Sequence, residues 1–217
     1  WPGERGEGLE STESMAFEPT PVLAFGMLYL STPTNIVVAL DPATGTERWR
    51  HDPKVDRKGD YSEVTSRGVT VWEDPDLDNR GPCSRRVFMG TIDARLIAID
   101  AGTGRPCADF GTSGAVDLAR GMRIRDKGDF QVTSPPAVFD AFVIVGSAIG
   151  DNSATDLPRG TIRGFDARTG LQRWAFDPVP VTPEVAPTAA GSDSVVPLTH
   201  SPCAATRGQE QSVHRHA

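Results

Sequence analysis

The sequence predicts an all-β protein assembled from repeated four-stranded sheets, and three observations support this fold class. The 217 residues include 22 Gly and 18 Pro with a hydrophobic content of only 38%, a balance that favours many short strands joined by turns. A hairpin motif occurs three times along the chain. No stretch of useful length has the apolar spacing of an amphipathic helix.

In the repeated hairpin, an apolar strand ends at an aspartate and is followed by Thr-Gly, at residues 38–49, 97–107 and 163–174. The aspartate carboxylate can accept hydrogen bonds from turn amides, and the glycine can adopt a positive φ. A tryptophan follows eight residues after the aspartate in the first and third copies, as Trp49 and Trp174. We expect such an indole to pack between neighbouring units, because stacked repeats need shared burial.

Further strand pairs precede each hairpin and complete three four-stranded units, predicted near residues 20–52, 68–110 and 132–177. The repeated aspartates are more widely spaced than the ~40–50 residues of common four-stranded repeats, so the loops between strands should be long. The flanking segments differ in composition: residues 1–16 are polar, and residues 179–217 are rich in Pro, Ala, Ser and Thr. Low apolar density cannot offset the entropy of ordering, so we expect the tail to be disordered or foreign to the fold. The predicted organisation is therefore 1–16, 17–178 and 179–217.

Charge and hydropathy exclude several classes of function. The net charge of −7 is spread along the chain without a basic stripe, so we expect no nucleic-acid partner. No apolar run reaches the ~18 residues of a membrane-spanning helix, and no nucleophile-elbow, P-loop or dinucleotide fingerprint is present. Because the chain opens at Trp1, we expect an N-terminal part to be missing, and a lack of targeting signals then says little about location.

Three cysteines leave two alternatives open. Cys83 and Cys107 flank one strand pair, and they either form a disulfide in an oxidising compartment or remain unpaired thiols at strand ends. The third cysteine is Cys203, and three cysteines cannot all be paired in disulfides within one chain.

The repeat Ala-x-Asp-x-x-Thr-Gly-x-x-x-Trp resembles the tryptophan-docking motif of the eight-bladed quinoprotein dehydrogenases, which depend on pyrroloquinoline quinone (PQQ). Four intervening stretches narrow the resemblance to the membrane-type glucose and quinate/polyol branch: residues 17–21, 64–69, 132–136 and 160–166. The resemblance runs from Phe17 to Pro178. It implies a partial β-propeller of about three four-stranded blades, and we expect an N-terminal fragment that is inactive alone.

The resemblance also implies a cofactor site. PQQ is a flat, tricarboxylated ortho-quinone, and its site requires cations, hydroxyl donors and a divalent metal. The family positions that contact PQQ fall on Glu18, Arg67 and Thr133, and an acidic metal ligand falls on Asp151, where Ca²⁺ or Mg²⁺ would prefer oxygen ligands. The alternative is a surface glutamate, a solvated loop arginine, a turn threonine and a turn-capping aspartate. The family's catalytic aspartate matches no position, so no catalytic residue is assigned.

By resemblance, the full-length parent oxidises an alcohol group of a sugar or polyol and passes electrons to ubiquinone or another respiratory acceptor. It would act on the periplasmic side of the bacterial inner membrane, and the resemblance is compatible with membrane association of the full-length parent. The alternative is a non-enzymatic propeller built from the same repeats, serving as an envelope binding or assembly scaffold. The Arg67 loop distinguishes the two, because a scaffold has no physical need for a cofactor-binding arginine.

Overall fold

The computed structural model describes residues 15–56, 58, 61, 63–76, 81–150 and 158–178. These belong to the first of the two units into which the chain divides, 1–180 and 181–217. Within the described ranges the chain forms short strands and one 3₁₀ helix, Lys127–Asp129. In chain order the strands are β1 (Met15–Ala16), β2 (Val22–Ala24), β3 (Met27–Ser31), β4 (Val37–Leu40), β5 (Glu47–His51), β6 (Val64–Thr65), β7 (Thr70–Glu73), β8 (Arg85–Gly90), β9 (Arg95–Asp100), β10 (Ala115–Asp117), β11 (Phe130–Gln131), β12 (Ala137–Phe139), β13 (Phe142–Val145), β14 (Ala148–Ile149), β15 (Ile162–Asp166) and β16 (Gln172–Phe176).

Twelve of these strands form three antiparallel sheets of four: β2-β3-β4-β5, β7-β8-β9-β10 and β12-β13-β15-β16. We call these sheets blades 1, 2 and 3. Their first strands contact each other in order, β2 with β7 and β7 with β12. The sheets are therefore arranged as successive blades with their first strands innermost, and the predicted partial β-propeller is confirmed.

Blade 2 ends later than the sequence predicts. Its expected fourth strand, before residue 110, is reduced to one isolated bridge between Pro106 and Ile99, and the ladder resumes only where Ala115 pairs with Ile97. Proline has no backbone N–H to donate to a ladder, so the outer strand cannot continue regularly through Pro106. The intervening residues form a loop at the outer edge of the blade.

The core consists of apolar layers between successive blades, and strand β9 shows how one sequence serves two of them. Ile97 and Ile99 pack in the layer that contains Tyr29 and Val37 of blade 1. Leu96 and Ala98 pack in the layer that contains Phe88, Phe110, Val143 and Phe165. Because successive strand residues face opposite sides, a sheet covered on both faces is encoded by a continuous apolar run.

The three repeated turns form as the sequence predicts. In the third copy, Oδ1 of Asp166 accepts hydrogen bonds from the amide (2.9 Å) and the hydroxyl (3.1 Å) of Thr169, and Gly170 has a φ of +72°. The equivalent carboxylate contacts recur in the other two copies, between Asp41 and Thr44 and between Asp100 and Thr103.

An indole joins blade 1 to blade 2, as expected. Nε1 of Trp49 donates to the carbonyl of Ala101 at 3.0 Å, and the ring covers Gly104, where a Cβ would lie 2.7 Å from Cε3 of the indole. Blade 2 has no tryptophan at the matching position. Instead, Phe110 and Val116 cover Gly170 of blade 3, and the amide of Gly111 donates to the carbonyl of Thr169 at 2.8 Å.

Of the two alternatives for the cysteines, the structure has the disulfide, between Cys83 and Cys107. It ties the segment before β8 to the irregular outer edge of blade 2. Cys203 lies outside the described residues. Among those residues, no helix has the length and apolar character needed to cross a membrane.

Candidate functional site

Three loops, each leading into the first strand of a blade, lie side by side at the inner edge of the sheets. The amide of Thr20 donates to the carbonyl of Arg67 at 3.0 Å, and the amide of Arg67 donates to the carbonyl of Thr133 at 2.8 Å. Arg67 is therefore bonded through its backbone to the loop on either side. Strands β1 and β6 extend this contact as a short parallel pair.

Gly68 allows two of these loops to approach closely. It forms a parallel bridge with Thr20 and has a φ of +140°, a conformation that favours glycine. A Cβ at this position would lie 3.1 Å from the backbone oxygen of Thr20. The Arg67-Gly68 pair thus combines a cation with the backbone freedom needed to place it against the neighbouring loop.

The guanidinium of Arg67 has three side-chain partners. Nη1 donates to Oγ1 of Thr133 at 2.7 Å, Nη2 donates to the carboxylate of Glu63 at 3.0 and 3.2 Å, and Nε lies 3.5 Å from Oε2 of Glu18. We call these four residues the Arg67 cluster. The structure therefore brings together Glu18, Arg67 and Thr133, the residues predicted for the cofactor site. The Arg67 side chain remains 38% exposed, so the guanidinium is accessible to a ligand.

Glu63 was missed by sequence reasoning. It precedes Arg67 by four residues, but that spacing predicts a contact only on a helix, and the described part of this segment is extended rather than helical. The backbone carbonyl of Glu63 accepts a hydrogen bond from Nε2 of Gln131 at 3.0 Å, which ties it to the third loop. A carboxylate in the same loop as a predicted binding arginine was the one available signal.

The weak ion pairs of the Arg67 cluster allow the guanidinium to exchange its carboxylate partners. Two carboxylates oppose one guanidinium, so the cluster has a formal charge of −1 with all three groups ionised. The ion pairs are partly exposed, with side-chain exposures of 38% for Glu63 and 52% for Glu18. Such pairs contribute only about 0–1 kcal/mol each. Another acceptor oxygen can therefore replace a glutamate on Arg67 at little cost.

The predicted metal ligand, Asp151, lies outside the described residues, so its role stays a prediction. Within the described ranges, one group of three potential ligand side chains is close enough to hold an ion: Cys83, Cys107 and Asp109. The two sulfur atoms of that group are bonded to each other, and a disulfide offers no thiolate to a metal. This group is therefore not a metal site.

Tyr61 supports the loop that carries Arg67. It is buried with Val55, Val64 and Ile92 in a small apolar cluster, and its hydroxyl donates to the carbonyl of Asp56. Apolar burial on one side and the backbone bonds of Arg67 on the other hold the loop in place.

Comparison with known proteins identifies the family. The family model for the β-propeller domain of PQQ glucose/ethanol/alcohol dehydrogenases matches residues 1–198. The chain belongs to the PQQ-dependent dehydrogenase family. Among the relatives of this quinoprotein chain are the large subunit of glycerol dehydrogenase from Gluconobacter oxydans, 36% identical over 166 residues, and the quinoprotein glucose dehydrogenase of Escherichia coli, 36% identical over 176 residues. The quinate/shikimate dehydrogenase (quinone) of Acinetobacter baylyi is 38% identical over 175 residues.

These alignments cover 73–79% of this quinoprotein chain and 21–22% of each relative. The chain thus spans about a fifth of the length of the curated relatives. Solved structures give the same picture. The quinohemoprotein alcohol dehydrogenase of Comamonas testosteroni matches with a TM-score of 0.58 and 29% identity, over 76% of this chain and 21% of that structure. A quinohemoprotein alcohol dehydrogenase of Pseudomonas putida HK5 matches with a TM-score of 0.61 and 28% identity, over 82% of this chain and 23% of that structure.

Proposed function

We propose that this chain provides part of the PQQ site of a dehydrogenase that oxidises an alcohol group of a sugar or polyol and passes electrons to ubiquinone or another respiratory acceptor. The observation that carries the proposal is that Glu18 and Thr133 both contact the guanidinium of Arg67 at the inner edge of the blades. The printed names of the relatives, which include glucose, glycerol and quinate dehydrogenases, support the substrate class.

The donors and acceptors of the Arg67 cluster fit a carboxylated quinone. When bound, PQQ supplies the two-electron acceptor chemistry of the reaction. Arg67 binds its carboxylate or quinone oxygens through N–H groups held in a fixed plane. The Thr133 hydroxyl orients the guanidinium through the 2.7 Å hydrogen bond, and Glu18 would help to hold the cofactor as a hydrogen-bond acceptor. Glu63 neutralises Arg67 in the absence of ligand and limits its rotation.

We assign Asp151 as one oxygen ligand for Ca²⁺ or Mg²⁺. A divalent ion at that position would polarise a cofactor carbonyl as a Lewis acid. No described residue is assigned as the base that takes the substrate hydroxyl proton.

We place the parent protein on the periplasmic side of the bacterial inner membrane and in association with that membrane. The Cys83–Cys107 disulfide supports an oxidising compartment, because disulfides persist in the periplasm and are rare in the cytosol.

The test uses protein expressed from the complete gene and reconstituted with PQQ and either Ca²⁺ or Mg²⁺. We expect dye reduction with at least one of glucose, quinate and glycerol, and saturable PQQ binding. Arg67→Ala removes charge-assisted hydrogen bonds of ~1.5–3 kcal/mol and should weaken PQQ binding about 10- to 100-fold. The matched control is Arg48→Ala, which removes a guanidinium that pairs with Asp41 on the surface of a turn and should leave PQQ affinity unchanged.

The outcomes separate the enzyme from the scaffold. Absence of both PQQ binding and dye reduction would refute the dehydrogenase. Equal PQQ affinity in Arg67→Ala and wild type would refute the role of the Arg67 cluster alone. We expect the 217-residue chain by itself to show no turnover.

A further inference from the structure

We propose that Glu63 competes with the cofactor for Arg67: its carboxylate occupies the guanidinium in the cofactor-free protein and leaves when an oxygen of the cofactor binds there. This role rests on the proposed function of the Arg67 cluster, and it gives the site a residue that lowers its affinity for the cofactor. Both partners lie in one loop, four residues apart, so the competing contact is complete within this chain.

Glu63 is the strongest anionic partner of Arg67. Both of its carboxylate oxygens accept from Nη2, at 3.0 and 3.2 Å, whereas Oε2 of Glu18 lies 3.5 Å from Nε, beyond the ~2.7–3.2 Å of a good N–H···O hydrogen bond. The third partner, the Thr133 hydroxyl, is neutral. Because the N–H groups of a guanidinium point in fixed directions, an acceptor oxygen that approaches Nη2 from this side has to take the place of the Glu63 carboxylate.

The side chain of Glu63 can leave Arg67 without movement of the loop. The backbone carbonyl of Glu63 accepts a hydrogen bond from Nε2 of Gln131, and the next two residues form β6, which is buried and paired with β1. The side chain is 38% exposed, and Arg67 is the one charged partner of its carboxylate among the described residues. Rotation about the side-chain bonds of Glu63 is therefore sufficient to carry the carboxylate into water.

Arg67 keeps its position without Glu63. Its carbonyl accepts from the amide of Thr20, its amide donates to the carbonyl of Thr133, and its Nη1 donates to the hydroxyl of Thr133 at 2.7 Å. Three hydrogen bonds that do not involve Glu63 therefore hold the backbone and the side chain of Arg67. Loss of the Glu63 carboxylate should free one side of the guanidinium without displacing it.

The charges of the site and of the cofactor favour this exchange. With Glu18 and Glu63 ionised, the Arg67 cluster has a formal charge of −1, and PQQ is itself a tricarboxylate. A carboxylate of the cofactor that approaches Arg67 is repelled by Glu63, because like charges at short distance raise the energy of both. The Glu63 carboxylate is therefore expected to turn away from the guanidinium when the cofactor binds.

The strength of the internal ion pair determines the size of the effect. A partly exposed pair of this kind favours the paired over the free guanidinium by up to about fivefold. A ligand that needs the free form binds more weakly in proportion to the population of that form. We therefore expect Glu63→Gln, which keeps the shape of the side chain and removes its charge, to tighten PQQ binding about two- to fivefold. This change is opposite in direction to that of Arg67→Ala.

Equilibrium dialysis against PQQ at a saturating concentration of Ca²⁺ tests this on cofactor-free protein expressed from the complete gene. Glu63→Gln should bind PQQ more tightly than wild type, and Glu63→Ala, a second variant without the carboxylate, should change the affinity in the same direction. Glu73→Gln is the matched control. Glu73 pairs with Arg85 at 3.0 Å, with side-chain exposures of 39% and 37%, against 3.0 Å and 38% for both members of the Glu63 pair. This control should leave PQQ affinity unchanged.

A double variant shows whether the effect acts through the guanidinium. In an Arg67→Ala background, Glu63→Gln should give no gain in PQQ affinity, because no guanidinium is left to compete for. A gain that survives in this background would overturn the competition and indicate a general effect of charge. PQQ binding that is equal to or weaker than that of wild type in both Glu63 variants would also overturn it, while weaker binding by Arg67→Ala would still support the proposed function. Wild-type protein that binds no PQQ would refute the proposed function itself and this role of Glu63 with it.

Discussion

Truncation of the docking indole, Trp49→Ala, should destabilise the chain by about 3 kcal/mol. The change deletes a hydrogen bond to the carbonyl of Ala101, worth about 1 kcal/mol, and uncovers Gly104 and the neighbouring Tyr29 ring, whose centroid lies 5.8 Å from the indole. Tryptophan-to-alanine changes in cores cost about 3–5 kcal/mol, and the half-buried Trp49 belongs at the lower end. The loss is large beside the ~5–15 kcal/mol of a typical domain.

Urea unfolding followed by circular dichroism measures this loss. Trp174→Ala is the matched control, because its indole lies on Gly164 of its own blade and should cost about 1 kcal/mol or less. Trp49→Phe keeps an aromatic ring but removes the N–H donor and part of the ring surface, so the loss should be about 1–2 kcal/mol, smaller than that of Trp49→Ala. Equal losses in Trp49→Ala and Trp174→Ala would refute the idea that docking between blades stabilises this chain.

Three further predictions concern stability. The double variant Cys83→Ala, Cys107→Ala should lose about 3 kcal/mol of its free energy of unfolding in urea. The bridged residues are 24 apart in sequence, and the disulfide restricts a loop of that size in the unfolded chain. An unchanged unfolding midpoint would contradict this. Arg168→Met should lower the free energy of unfolding by about 3 kcal/mol, because it leaves the fully buried Asp74 carboxylate without the guanidinium that binds both of its oxygens. Adding Asp74→Asn to this variant removes the unpaired charge and should recover part of the loss. The pKa of Asp166 is held at about 2, because hydrogen bonds to its carboxylate outweigh burial, which alone would raise it. This folded-state pKa lies below the unfolded value near 4, so the ionised Asp166 stabilises the fold fully above about pH 4, and this stabilisation is lost as the pH falls toward 2. Asp166→Asn should flatten the pH dependence of the melting temperature between these two pH values.

The repeated hairpins could be predicted from sequence because their determinants are local. An aspartate at a strand end, a threonine three residues later and a glycine with positive φ are sufficient to form the turn, as the contacts between Asp166 and Thr169 show. The docking of Trp49 on the next blade followed from its recurrence at a fixed distance from the aspartate. Motifs whose structure depends on neighbouring residues, and which recur along the chain, are therefore the features that a single sequence predicts most reliably.

Features that depend on contacts between blades were harder to predict. Phe110 replaces the missing tryptophan of blade 2 from an irregular loop after Pro106, a position to which the repeat assigns no aromatic residue. Glu63 binds Arg67 although no periodic pattern joins them. The family resemblance located Glu18, Arg67 and Thr133, but it could not reveal that the carboxylate of Glu63 also binds this guanidinium.

The Arg67 cluster and the docking contacts at the blade edges involve the same three blades. The backbone of Arg67 is bonded to Thr20 before blade 1 and to Thr133 before blade 3, so each of the three blades contributes to the position of one guanidinium. The angle between blades 1 and 2 is fixed toward the outer edge by Trp49, and that between blades 2 and 3 by Phe110 on Gly170. We therefore expect substitutions that loosen the contacts between blades, such as Trp49→Ala, to weaken the hydrogen bonds that join the loops around Arg67 as well as to lower the stability of the chain.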